Sequence, residues 1–177
     1  MKKPKLTEED GYEALKGHAV DKALLARSRY GPTFDEQSMA QLLADPEVVR
    51  FPTVLRFDAD SLMPGEFAWA SALGESPSEG FALIVHPHFE GRWDVLPMLI
   101  AYHIVSINYL DVATQDEAEL FGAALLGMEV LDYYDQVCAL ADSIPGAPRP
   151  QKTPAEFATP AAPAASGCGS GGCGCSH

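Results

Sequence analysis

The chain has 177 residues, with 47% hydrophobic and 21% charged side chains, the average profile of a globular protein. It sets 12 Lys and Arg against 25 Asp and Glu, a formal net charge of −13. This argues against binding a nucleic acid or an anionic membrane face, because both are held by basic side chains. From Ile144 to His177 the only charged side chains are Arg149, Lys152 and Glu156, so the acidity belongs to the preceding residues.

The N-terminus, Met1-Lys2-Lys3-Pro4-Lys5, is basic but no apolar run follows it, which does not fit a secretory signal. The longest apolar stretch, Val95 to Leu110, is broken by His103, Ser106 and Asn108. It falls short of the roughly 20 residues that cross a bilayer and reads as a core helix. Without an export signal the expected location is the cytoplasm, where cysteines seldom serve as structural disulfides.

Thr7 followed by Glu8, Glu9 and Asp10 starts a helix, with a hydroxyl to cap free amides and acids at the positive end of the dipole. That helix is expected to reach Arg29 and stop at Gly31-Pro32, with its middle frayed or broken by Gly11 and Gly17. A second helix is predicted from Phe34 to Ala44, closed by Asp45-Pro46. Strands are predicted at 53–57, 66–70 and 81–85, separated by turn clusters at 63–65 and 74–80. The short intervals favour antiparallel neighbours. Three further helices are predicted at 93–110, 115–126 and 130–143. The fold class is therefore α+β: about five helices on a small antiparallel sheet of about three strands, spanning residues 1–144.

From 145 to 167, prolines alternate with alanines and no apolar face can be drawn, so this segment reads as a disordered, extended linker. At about 3.1 Å per residue it reaches roughly 70 Å at full stretch. The last ten residues, 168–177, hold Cys168, Cys173, Cys175 and His177 with only Gly and Ser between them. Thiolates and imidazoles are the ligands that Zn²⁺, Cu(I) and Ni²⁺ accept most readily, and glycine lets a loop wrap an ion without steric cost. The spacing is not that of a zinc ribbon. A flexible site of this kind suits capture and delivery better than catalysis.

Residues 167–177 resemble the glycine-spaced Cys/His tail of the bacterial FKBP-type prolyl isomerases that act as metallochaperones. The resemblance implies metal binding by the tail; no isomerase domain is recognisable in the body, and the few histidines tilt the expectation from nickel toward zinc or copper. Two other readings stay open for the tail. One is a precursor whose Cys and Ser are cyclised to thiazoles and oxazoles, with the body as leader. The other is a redox tail with a labile Cys173–Cys175 disulfide.

In the body, His86 and His88 close the third predicted strand, and alternation puts both rings on one face as a half-site for a metal, although Pro87 bends the chain there. Semi-exposed capping histidines are the competing account. His103 lies in the most apolar helix and is expected to be a hydrogen-bonded core residue. The segment Glu117-Ala118-Glu119-Leu120-Phe121-Gly122 resembles the third-ligand helix of zinc peptidase-like domains of the ImmA/IrrE type, which implies Glu117 as a zinc ligand. The His-Glu-x-x-His pair of that family is missing, since His103 is followed by Ile104, Val105, Ser106 and Ile107. The resemblance implies a pseudo-enzyme, or an enzyme whose site is rebuilt from His86, His88, His103 and Glu117. The competing account is an amphipathic helix with its acids on the wet face and Phe121, Ala124, Leu125 and Met128 in the core.

The expected function is soft-metal binding and delivery by a tethered tail, with the acidic body engaging a protein partner or client. The alternatives are a zinc-peptidase-like body and a peptide precursor.

Overall fold

The computed structural model of the chain describes residues 7–146. Thr7 caps α1 (Glu8–Tyr30) through a reciprocal box with Asp10, and the helix runs unbroken through Gly11 and Gly17. The expected break is absent because both glycines lie on the exposed face, while Ala19, Ala23 and Ala26 bury the other. These alanines bring α1 close against α4 (Gln115–Leu126), whose last turn it ties down: the Arg27 guanidinium donates to the Leu125 carbonyl at 2.9 Å.

Helix α2 (Glu36–Ala44) starts two residues later than expected, because Asp35 supplies the cap, accepting from the Ser38 N–H. The chain then turns at Asp45, whose carbonyl accepts from the N–H groups of Val48 and Val49, and enters β1 (Thr53–Phe57). Strand β2 is Ala68–Ala72 and β3 is Phe81–Val85. β2 begins two residues beyond the expected start because the Met63–Glu66 turn takes up Glu66, whose N–H bonds the Met63 carbonyl and whose carboxylate accepts from the Met63 N–H.

The α+β class holds, but the sheet is mixed. Its order is β1-β3-β2, with β3 antiparallel to β2 and parallel to β1. The expectation of antiparallel neighbours fails at β1, which does not pair with the next strand in sequence. The physical reason lies in Phe81-Ala82-Leu83-Ile84-Val85, which has no polar residue and is buried throughout, as a central strand requires.

Phe81, Leu83 and Val85 join the main core with Leu96, Leu99, Ile100 and Ile104 of α3 (Leu96–Tyr109), the apolar helix that lies on the sheet. Asn108 near its end is buried and fully engaged: its amide donates to the Val48 carbonyl at 2.8 Å and accepts from the Arg50 N–H at 2.7 Å. Helix α5 (Val130–Asp142) covers α3 and α4 through Tyr133, whose hydroxyl donates to the Met98 carbonyl at 2.8 Å. Tyr133 stacks against Gly122 so closely that a β-carbon there would overlap its ring. Asp132, Asp135 and Asp142 face solvent, and Ile144 is the last buried residue among those described. Among the described residues, no helix is long and apolar enough to cross a membrane.

Candidate functional sites

Cys168, Cys173, Cys175 and His177, together with the 145–167 linker beyond Gly146, lie outside the described residues. Within them the one cysteine, Cys138, is a half-buried free thiol.

The body histidines do not assemble as a metal site. β3 ends at Val85, and His86 caps a 3-10 turn over Pro87–Phe89, with its Nδ1 accepting from the His88 N–H at 3.1 Å. The two ring centroids are 6.5 Å apart, and His88 packs edge-on against buried Phe89. This is the capping arrangement. Glu117 is also a cap: its carboxylate accepts from the N–H and hydroxyl of Thr114, closing a reciprocal box at the start of α4. It is buried, contrary to the expected wet face, because that box folds the side chain back onto its own first turn. Burial pushes its carboxyl pKa up, but the Thr114 hydroxyl and N–H more than offset this and hold it below the ordinary value. In the same helix Phe121 and Leu125 are buried and Ala124 is half-buried, while Met128 lies beyond the Gly127 cap and is half-buried. Among the described residues, no three His, Cys, Asp or Glu side chains stand close enough to share an ion, so His86, His88, His103 and Glu117 form no joint site.

Among the described residues, His103 is the exception to orderly polar pairing. Its ring is flanked edge-on by Phe67 and Tyr102, with centroids at 5.4 and 5.5 Å. Its Nε2 is sealed from solvent and has no hydrogen-bond partner, against the expectation of a bonded core histidine. Burial lowers its pKa from 6.5 to about 4, so the imidazole is neutral at neutral pH.

The same histidine helps to wall a cavity of about 430 Å³ between the free edge of β2, the middle of α3 and the first turn of α4. The cavity has a visible cause in the sheet. Through their pairing with Phe81, Leu83 and Val85, the core-facing positions of β1 are Thr53, Leu55 and Phe57, whereas those of β2 are Ala72, Ala70 and Ala68. Three methyl groups cannot fill the space that larger side chains fill on the other flank, and the gap opens beside Ala70, Tyr102 and His103. None of the eleven residues of the wall is Asp, Glu, Lys or Arg. At its rim, Leu110 ends α3 with φ 56° and ψ −132°, the one non-glycine with positive φ among the described residues. Sequence reasoning singled out His103 but missed the cavity. The available signal was the alternation Ala68-Trp69-Ala70-Ser71-Ala72, which marks a strand face too small to meet an apolar helix.

No protein-family model matches the chain, and neither a curated protein nor a solved structure is found to be similar to it.

Proposed function

We propose that this chain captures a soft metal ion on the thiolates of Cys168, Cys173 and Cys175 with the imidazole of His177, and hands it to a protein partner engaged by the body. The observation that carries this reading is the composition of the last ten residues: three thiols and an imidazole, with nothing but Gly and Ser between them. Four N and S donors complete a tetrahedral shell for Zn²⁺, and two or three thiolates suffice for Cu(I). A glycine-spaced loop dictates little geometry of its own, so it accepts and releases an ion readily, as transfer demands.

The likeness of residues 167–177 to the tail of the FKBP-type metallochaperones supports the same reading. A cytoplasmic setting suits it, because thiols remain reduced there. The acidity of the body favours a partner with a basic surface. Ligation displaces protons from the thiols, so affinity falls as pH drops.

The test is metal content by mass spectrometry on anaerobically purified full chain and on the variant carrying Cys168→Ser, Cys173→Ser and Cys175→Ser. The expected outcome is about one ion per chain in the parent and none in the variant. Equal metal content in the two would overturn the proposal.

A further inference from the structure

The cavity between β2, α3 and α4 holds an arrangement that the metal reading leaves unused. A buried histidine nitrogen without a partner carries a standing desolvation cost, which native interiors normally remove by pairing the atom. Here the covered Nε2 is left unpaired in a helix whose fully buried polar side chain, Asn108, is paired on both its donor and its acceptor. The orphan atom belongs to a residue of the cavity wall, and the volume of about 430 Å³ lies within the range of small-molecule sites. Backbone strain is present at the same place, since Leu110 holds its left-handed φ at the rim.

From these features we infer that the cavity is a binding site for a small, uncharged, mainly apolar ring compound bearing one hydroxyl-type group, which completes the hydrogen bonding of His103 Nε2. The charge of the ligand follows from the wall. With no ionised side chain to meet it, a carboxylate, phosphate or ammonium would enter unpaired, at a cost no apolar contact recovers. The apolar body follows from Ala70, Phe81, Tyr102 and Ala118, which offer methyl and ring surface. The hydroxyl follows from the histidine: a neutral imidazole presents Nε2 as either donor or acceptor, and a hydroxyl answers both. Because Nε2 is covered in the ligand-free chain, the bond forms with a small displacement of the rings beside it, Phe67 and Tyr102.

The experiment compares para-cresol with para-xylene, two probes of nearly the same shape that differ in a hydroxyl against a methyl. Both are titrated into the isotope-labelled full chain and followed by NMR at the backbone amides of residues 69–70, 102–106 and 113–118 and at the His103 ring nitrogens. Both probes should shift those amides, and cresol alone should move the Nε2 resonance. In the His103→Phe variant, which keeps a ring of similar volume, the preference for cresol over xylene should fall about tenfold, as expected for one lost hydrogen bond in a desolvated site. Ala70→Phe, which fills the cavity from the sheet side, should abolish both sets of shifts while the rest of the spectrum stays dispersed. The inference is overturned if neither probe shifts these amides up to its solubility limit. It is equally overturned if the cresol preference is unchanged in His103→Phe, or if binding survives Ala70→Phe.

Discussion

Asn108 and His103 stand little more than one turn apart on the same apolar helix, and the protein treats them in opposite ways. Around Asn108 the fold is closed: the side-chain amide stitches α3 to the turn that feeds β1, using its oxygen and its nitrogen at once. Around His103 the fold is open: rings flank the imidazole, a cavity adjoins it, and Nε2 is left without a bond. Two polar side chains on one helix, one fully and one partly buried, therefore do two jobs. One polar group specifies where a loop must lie, and the other is held ready for something that is not part of the chain.

The sharpest way to break the comparison is Asn108→Leu. It strands the Val48 carbonyl and the Arg50 N–H together, and urea unfolding should show a loss of about 4 kcal/mol. Acid should separate the two sites next. A free imidazole takes up a proton near 6.5, whereas the buried one does so only near 4, so between these values the unfolded chain binds the extra proton. Stability from this residue is complete above about pH 6.5 and falls as pH drops, by about 3 kcal/mol once pH 4 is reached. In His103→Phe that part of the acid sensitivity should vanish, so the two stability profiles should run parallel above about pH 7 and diverge as pH falls. If the profiles run parallel from pH 7 to pH 4, the imidazole is not buried neutral.

Smaller effects test the other satisfied groups. Glu117→Ala opens the box at the head of α4 and should lower the thermal midpoint by an amount corresponding to about 1.5 kcal/mol. Tyr133→Phe keeps the packing against Gly122 and removes only the bond to the Met98 carbonyl, for which about 1 kcal/mol is expected in a denaturant titration. A Tyr133→Phe loss equal to that of Asn108→Leu would mean that burial, not pairing, sets the scale.

Much of the fold was legible because its boundaries are chemical. Thr7, Asp45-Pro46 and Thr114 mark their helix ends through hydrogen bonds made within a few residues, and β1 and β3 lie where alternation and turn residues place them. What escaped depends on partners distant in sequence. The two exposed glycines of α1 weaken it locally, but its alanine stripe is held by α4, almost a hundred residues away. Glu117 is a local exception: it reads as a wet acid until Thr114, three residues before it, folds it inward. The cavity was the least legible feature, because an empty volume belongs to no residue: it arises from the alanines of β2 meeting Tyr102 and His103 of α3.

The strand order has a consequence in time. β1 and β2 leave the ribosome first but share no ladder, since β3 stands between them and bonds to both. A chain synthesised only as far as Gly80 thus has two strand segments and no sheet. When β3 arrives, both ladders form on one template, and the parallel one must first close the loop from β1. Sheet assembly is thereby gated by a single five-residue segment, with α3, α4 and α5 still to follow.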